Sequence, residues 1–383
     1  MPDRYQILVL TDSRSSAPAE VEPMMGIQQF MAESEAAWEI HWEKHCPESL
    51  ARGGRRFAGI IGRATPRVMQ LAARSRIPMV NIWSSAAPTR VPSVIADFEA
   101  AGRMAAEYFL DRGLRRAAFL GTARRFSDRL RQGFVERLAA DRVPCLSETT
   151  AWGYEDTAAR FERFTRRVHG LVERLRSPVG ILGFEDTACR YIAYACEERG
   201  LRIPDDVAIM GVTNNVLACM QPSPSLSSVD CNFPLVGYKA AELLAALMKG
   251  TKPPREPIRV PPRTIVPRRS TEHVFTDDPL VAEALLFIAA RRAGRLRPRD
   301  VARHVAASER TLQRRFHEAV GHSIVHEIIR QRVRHARQLL LDGDLLLKQI
   351  AKECGFQNAR RLGLEFQKRE GMSPTAYRRL HRG

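Results

Sequence analysis

The sequence predicts a two-lobed α/β domain followed by a smaller all-α domain that contains two helix-turn-helix units. Short apolar runs alternate with amphipathic segments over the first 270 residues, an alternation typical of parallel sheets covered by helices. From Pro279 onward the apolar spacing is helical throughout, and a stretch rich in Pro and Arg, residues 251–272, separates the two patterns. We therefore place the α/β domain at residues 1–272, a linker at 273–279 and the helical domain at 280–383.

The α/β prediction depends on individual segments. The apolar runs that predict buried strands are Ile7–Leu10, Gly59–Ile61, Met79–Ile82, Ser93–Ala96, Ala117–Leu120, Val179–Leu182 and Val207–Val212, with shorter pieces at Ile258–Val260 and Thr264–Val266. The segments that predict helices are Ala100–Leu110, Arg129–Leu138, Thr157–Leu175, Thr187–Glu198 and Leu235–Leu247. Two parallel sheets fit within this length, so we expect two lobes with a cleft between them.

Charge is distributed unevenly along the chain. The net charge is +17, and Pro279–Gly383 alone holds 22 basic and 10 acidic residues. A mildly charged body that carries a compact basic module indicates an end that binds a polyanion. The alternative is a solvated basic face on an ordinary domain.

The cysteines and the apolar runs indicate the compartment. The seven cysteines are scattered and no pair has C-x-x-C spacing, which favours reduced, mostly buried thiols in a cytosolic protein. No apolar run approaches the ~20 residues needed to span a bilayer, and the first apolar run, Ile7–Leu10, is too short for a signal peptide. We therefore expect a cytoplasmic protein without a membrane partner.

The helical domain contains the same motif twice. In the first unit Ser308 is placed to cap a helix over Glu309–Ala319, and Gly321 ends it. In the second, residues 355–358 form the turn and cap, and a helix begins at Ala359. Two such units in a basic background predict two recognition helices that enter successive major grooves of one DNA duplex.

This domain resembles the AraC/XylS family of regulators. The residues that carry the resemblance are Ser308, Arg310-Thr311-Leu312, Arg314, Phe316, Arg332-Val333, Ala336, Leu339-Leu340, Ile350-Ala351, Cys354-Gly355-Phe356, Phe366, Lys368, Gly371, Ser373-Pro374 and Tyr377-Arg378. The DNA-contacting residues that it implies are Ser308, Arg310, Thr311, Gln313, Arg314, Gln357, Asn358, Arg360 and Arg361.

Arginine reads guanine and glutamine reads adenine through paired hydrogen bonds; the alternative for each arginine is contact with phosphate alone. Leu364 stands where the family often has an arginine or a similar polar residue, and Gly363 lowers helix propensity. We therefore expect the second unit mainly to anchor the DNA backbone.

Five fragments of the first domain resemble the periplasmic-binding-protein-like effector domain of LacI/GalR-type regulators. They are Ile77–Val80, Val94–Asp97 with Gly102 and Ala105, Gly183–Ala188, Pro204–Val212 and Pro267–Thr271. The resemblance implies a small polar effector, with a carbohydrate as the leading candidate.

A sugar site needs polar groups that pair with hydroxyls and an aromatic face for the ring. The polar candidates are Asp12, Asp186 and Asn214, and the aromatic candidates are Phe126, Trp83 and Trp152, for which core packing is the alternative. Two positions depart from the family pattern: Thr213 replaces the aspartate of Gly-Φ-Asp, and Leu130 stands at a position that is commonly arginine. A non-sugar effector, or constitutive DNA binding with a degenerate pocket, therefore stays open.

Other classes of protein fit less well. The chain has no nucleophile elbow, H-E-x-x-H, P-loop or complete dinucleotide fingerprint, so we expect no enzyme, catalytic residue, cofactor or metal. A DNA-repair alkyltransferase needs His and Arg after Pro144-Cys145, which are absent, and a secreted solute-binding protein needs a signal peptide. The expected partners are double-stranded DNA, the effector, a second copy of the chain in a homodimer and, for an activator, RNA polymerase.

Overall fold

The computed structural model describes residues 5–11, 17–44, 57–84, 91–150, 157–273, 275–276, 278–291, 294, 296–342, 345–370 and 372–382. The chain divides into two compact units. The first comprises Met1–Tyr108 and Arg116–Glu272, and the second comprises Phe109–Arg115 and His273–Gly383. The sequence did not predict that the short segment Phe109–Arg115 groups with the helical domain.

Twelve described strands belong to the first unit. They are β1 (Tyr5–Leu10), β2 (Trp38–Glu43), β3 (Gly59–Gly62), β4 (Met79–Asn81), β5 (Val94–Ala96), β6 (Ala117–Thr122), β7 (Cys145–Thr150), β8 (Val179–Gly183), β9 (Val207–Val212), β10 (Ser227–Asp230), β11 (Ile258–Val260) and β12 (Thr264–Val266). The helices that begin in this unit are α1 (Pro18–Ser34), α2 (Pro66–Arg74), α3 (Phe98–Asp111), α4 (Arg125–Ala140), α5 (Ala158–Glu173), α6 (Asp186–Glu198), α7 (Val216–Met220) and α8 (Phe233–Met248).

The strands form two main sheets, as the sequence predicts. One has the order β2-β1-β3-β4 and is parallel, and a bridge between Asn81 and Ser93 leads from β4 to the parallel pair β5 and β11. The other has the order β12-β10-β9-β8-β6-β7 and is parallel except for β12. Since β5 and β6, β10 and α8, and β11 and β12 belong to different lobes, the chain crosses between the lobes three times. The carboxyl ends of the parallel strands are the edges where such sheets bind ligands.

Glycines permit the closest helix contact in the first lobe. In α1, a Cβ added to Gly26 would overlap the carbonyl oxygen of Pro234, and one added to Gly237 of α8 would overlap that of Pro23. Only glycine allows two backbones to approach so closely. The two helices therefore pack closely against each other, and α8 packs against β3, β4 and β5.

Seven of the described helices lie wholly in the second unit. They are α9 (Pro279–Ala290), α10 (Pro298–His304), α11 (Glu309–Val320), α12 (Ile324–Asp342), α13 (Leu347–Glu353), α14 (Ala359–Glu370) and α15 (Pro374–Arg382). Asp278 caps α9 by accepting hydrogen bonds from the Leu280 and Val281 amides at 3.0 and 3.2 Å, and Pro279 occupies the first helical position.

Two apolar cores form in the second unit, and α12 contributes to both. Its first half packs Ile324 and Ile328 with α9, α10 and α11. Its second half packs Val333, Ala336 and Leu340 with α13, α14 and Tyr377 of α15. Each helix-turn-helix unit thus has its own core.

Most of the predicted elements are confirmed. Each predicted strand appears within one residue at either end or is extended, and each predicted helix overlaps an observed one. The elements that the sequence did not predict are α1, α2, α7, β2, β7 and β10. Of the cysteines, Cys46 lies outside the described residues, and the other six are free thiols, five of them buried. Among the described helices, none has the length and apolar character required to traverse a bilayer.

We predict that Gly26→Ala destabilises the protein, because its methyl group overlaps backbone that cannot move aside. The free energy of unfolding should fall by about 1–3 kcal/mol or more, the usual cost of overpacking. Gly170→Ala is the matched control, since it also lies inside a helix but has no atom within 4 Å of an added Cβ. That variant should gain roughly 0.5–1 kcal/mol from helix propensity. Urea denaturation of both variants measures this, and equal effects would contradict the packing argument.

Candidate effector site and nucleic-acid interface

Four of the six candidate effector residues lie in the described part of the chain, and each follows a strand. Trp83 follows β4, Phe126 follows β6, Asp186 follows β8 and Asn214 follows β9. Asp12 and Trp152 lie outside the described residues. Because carboxyl ends of parallel strands share one edge of a sheet, these side chains follow the strand ends at which sheets of this kind generally bind ligands.

Trp83 lies in a polar cluster of the first lobe. The Arg63 guanidinium lies over its ring, 3.9 Å from the ring centroid, and Arg63 Nη2 is 3.0 Å from the Glu20 carboxylate. Buried Asn81 holds the Trp83 backbone, accepting from its N–H and donating to its C=O at 3.2 Å each. Half-buried Trp83 therefore presents an aromatic ring beside a cation and a carboxylate.

Arg63 and Glu20 are not among the residues predicted from the sequence. Arg63 directly follows β3, a position that could have been examined in the same way as Asp186. Glu20 lies in α1, and no spacing in the sequence connects it with Arg63. Together they offer the hydrogen-bond donors and acceptors that hydroxyl groups need.

Asp186 is placed differently from the expectation. Its side chain is fully buried, and Oδ2 accepts from the Asn215 amide at 2.7 Å and from the Thr213 hydroxyl at 3.1 Å. Burial raises the pKa of Asp186 to about 7, against the lowering effect of hydrogen bonds from Ser228, Asn215 and Thr213. Through Oδ2 the carboxylate holds the turn after β9, so it positions the residues of that turn.

Asn214 belongs to a strained turn. Thr213 and Asn214 have φ of 98° and 54°, in the region that favours glycine and is unusual for a β-branched residue. The turn is held by Asp186, by Ser228, whose hydroxyl accepts from the Asn214 amide at 3.0 Å, and by Arg268, which donates to Asn214 Oδ1 at 2.8 Å. Backbone strain that the surroundings maintain is typical of functional sites.

Phe126 packs partly into the protein. Its ring centroid lies 5.0 Å from that of Phe98, which is buried at the start of α3. Phe126 itself is half-buried at the start of α4. Core packing thus accounts for part of its surface, and no described contact brings it together with Trp83 or Asn214.

The first helix-turn-helix unit has the predicted caps. Ser308 Oγ accepts a hydrogen bond from the Thr311 amide at 3.1 Å, and Gly321 ends α11 at φ 80°. Buried Leu312 and Phe316 anchor the helix to the core. The connection before it contains Ala306 at φ 50°, so α11 leaves α10 through a tight turn.

All five candidate DNA-contacting residues of this unit are exposed, namely Ser308, Arg310, Thr311, Gln313 and Arg314. Arg314 Nη1 lies 3.2 Å from Glu318 one turn further along α11. The next arginine, Arg315, points elsewhere and binds the Asp278 carboxylate through two contacts of 2.6 Å. The hydrogen bond from Arg315 is the main reason that the pKa of Asp278 lies below its usual value.

The second helix-turn-helix unit also exposes its candidate residues, which are Gln357, Asn358, Arg360 and Arg361. Asn358 caps α14 by accepting from the Arg361 amide at 2.8 Å. Arg361 Nη2 lies 2.8 Å from Glu365, one turn further along. Leu364 is 56% exposed on the same helix.

A buried ionic network fixes the first turns of α12. Glu327 is 1% exposed, and its Oε1 accepts from Arg330 at 2.6 Å and from Gln331 at 2.9 Å. His322 Nε2 lies 3.2 Å from the same carboxylate, and Arg330 also pairs with Asp111 of the segment Phe109–Arg115. Removing one partner from such a buried pair leaves an uncompensated charge, so these residues act as a unit.

We predict that the stability contributed by Asp186 depends on pH. Its pKa of about 7 in the folded protein lies above the value of an unfolded aspartate. Folding therefore takes up a proton between these pKa values, and stability falls as the pH rises through them. From pH 5 to pH 8, the wild type should lose roughly 1–3 kcal/mol relative to Asp186→Asn. Urea denaturation at both pH values tests this, with Asp128→Asn, which removes an exposed carboxylate, as the control. A stability difference between the wild type and Asp186→Asn that stays constant with pH would contradict it.

Comparison with known proteins gives a family match in each of the two compact units. A family model described as a periplasmic binding protein-like domain matches residues 106–271, and a helix-turn-helix domain model matches residues 301–380. Xylose operon regulatory proteins match over 98% of this chain: that of Haemophilus influenzae is 27% identical and covered over 98% of its length, and that of Escherichia coli K12 is 24% identical and covered over 97%.

A solved structure of a xylose-binding transcription activator has the same fold. It aligns with a TM-score of 0.62 at 23% identity, over 99% of this chain and 99% of its own. The arrangement of an α/β domain followed by two helix-turn-helix units is therefore shared over the full length of both chains.

Proposed function

We propose that this chain, an AraC-family regulator that carries a periplasmic binding protein-like domain ahead of its helix-turn-helix domain, controls transcription by binding a specific DNA sequence in response to a sugar. The observation that carries the proposal comes from the helical domain. Its two capped recognition helices, each packed on its own apolar core, expose arginine and glutamine. These are the side chains that read guanine and adenine in the major groove.

A cluster in the α/β domain supports control by a carbohydrate. Trp83 with Arg63 and Glu20 supplies a ring face and paired polar groups, which is the composition expected of a sugar site. The names of the full-length relatives refer to xylose. Thr213 stands where the LacI/GalR pattern has an acidic residue, so we propose a carbohydrate effector without assigning the individual sugar.

The mechanism that we propose is a shift between two states of the protein. The effector binds the states with different affinities, and the paired reader domains of a homodimer thereby move into or out of register with two half-sites. As an activator, the protein would contact RNA polymerase in the cytoplasm. These points rest on the family resemblance.

We predict that Arg310→Ala relaxes base preference. Loss of a bidentate contact to guanine should reduce discrimination at one base position by about 1–3 kcal/mol. The control is Arg303→Ala, an exposed arginine on α10 outside the recognition helix. Its effect on affinity should be uniform across sequences. Binding by the full chain to a randomised duplex library measures both, and a uniform loss for Arg310→Ala would show a phosphate contact only.

We predict that a pentose, hexose or sugar acid stabilises the protein against heat. At a concentration 100 times the dissociation constant, stabilisation should be about 2.7 kcal/mol. Trp83→Ala and Arg63→Gln should abolish the shift, whereas Tyr194→Ala, which removes an exposed aromatic ring on α6, should retain it. Sugar acids belong in the screen because Arg63 can bind a carboxylate. Absence of stabilisation by any compound would remove the carbohydrate proposal.

A further inference from the structure

Leu364 is an apolar side chain on a helix face that otherwise suits DNA. It is 56% exposed, and it follows Arg360 by four positions and Arg361 by three in α14. Residues at these spacings are neighbours on the surface of a helix. The face that carries the two exposed arginines therefore also carries an exposed leucine.

The two recognition helices can be matched through their buried residues. In each helix a leucine and a phenylalanine four positions apart are fully buried, namely Leu312 and Phe316 in α11, and Leu362 and Phe366 in α14. With these pairs superimposed, Arg310 corresponds to Arg360, and Arg314 corresponds to Leu364. Leu364 thus occupies the position that Arg314, a candidate base-reading arginine, has in the first helix-turn-helix unit.

The neighbouring position leaves room for a close approach. Gly363 corresponds to Gln313 in the same match, and no atom lies within 4 Å of a Cβ built on Gly363. The helix surface beside Leu364 is therefore low and open. No side chain at position 363 stands between a base edge and the leucine there.

Only one of the four bases offers an apolar group in the major groove. Thymine exposes its C5-methyl group, which apolar side chains contact, whereas arginine at the same position would select guanine. We propose that Leu364 reads a thymine through this methyl group, so that the second unit selects sequence by apolar contact as well as anchoring the backbone. The inference rests on the proposed DNA-binding function and specifies one base that it recognises.

The test removes only the C5-methyl group of thymine and leaves the rest of the base unchanged. The full chain first selects its preferred sequence from random duplexes, and each thymine of that sequence is then replaced in turn by deoxyuridine. For the wild type, at least one replacement should weaken binding roughly fourfold, the effect of losing one buried methyl-sized group. At that position Leu364→Ala should bind the thymine and deoxyuridine duplexes equally.

Three further variants serve as controls. Leu364→Met keeps an apolar side chain and should keep the preference for thymine. Leu364→Arg should shift the preference at that position to guanine. Leu346→Ala removes a leucine that is 67% exposed in the same unit but lies before α13, and it should leave the deoxyuridine effect unchanged.

Deoxyuridine effects that are the same in wild type and Leu364→Ala would overturn the inference and leave the proposed function standing. The inference also fails if Leu364→Ala changes the oligomeric state but not the methyl dependence, because Leu364 would then contact protein. A chain that enriches no sequence would overturn the proposed function, and this inference with it.

Discussion

Because α12 is one continuous helix shared by both helix-turn-helix units, it determines how the helical domain can bind DNA. Ile328 belongs to the first core and Leu340 to the second, and these two residues lie roughly 18 Å apart along one helix axis, at about 1.5 Å per residue. Each recognition helix is fixed to its core by a buried leucine and phenylalanine. The distance between the DNA-reading faces is therefore set by a helix, whose first turns are held by the Glu327 network, and not by a flexible connection.

In the α/β domain the comparable constraint is the turn after β9. Two adjacent residues other than glycine keep positive φ because buried Asp186, Ser228 and Arg268 bind their polar groups. Each such residue costs of the order of 1–3 kcal/mol. The strain lies at the strand edge where domains of this architecture bind ligands, so the turn is a candidate part of the proposed site even though its central carboxylate is buried.

The sequence predicted the central strands because their continuous apolar runs are buried on both faces. It missed β2 and β7, which are edge strands with polar residues, and β10, whose Ser227 is buried but hydrogen-bonds to Thr271. It missed α1, which contains Pro23 and Gly26. For the site, position after a strand identified Trp83 and Asn214, whereas the pairing of Arg63 with Glu20 depends on tertiary contacts that no local pattern records. Leu364 was interpreted as a lost arginine, because its exposure and its equivalence to Arg314 require the structure.

The carboxylates next to the candidate base-reading arginines bear on the proposed DNA binding. Arg314 and Arg361 each have a glutamate one turn along the helix, and a phosphate must compete with that glutamate for the guanidinium. Random DNA offers only such phosphates, whereas a matching site also offers a guanine with two acceptors in a fixed geometry. If Arg314 and Arg361 read bases as proposed, Glu318 and Glu365 would lower the affinity for every sequence but penalise the wrong ones more, a means of discrimination by built-in repulsion.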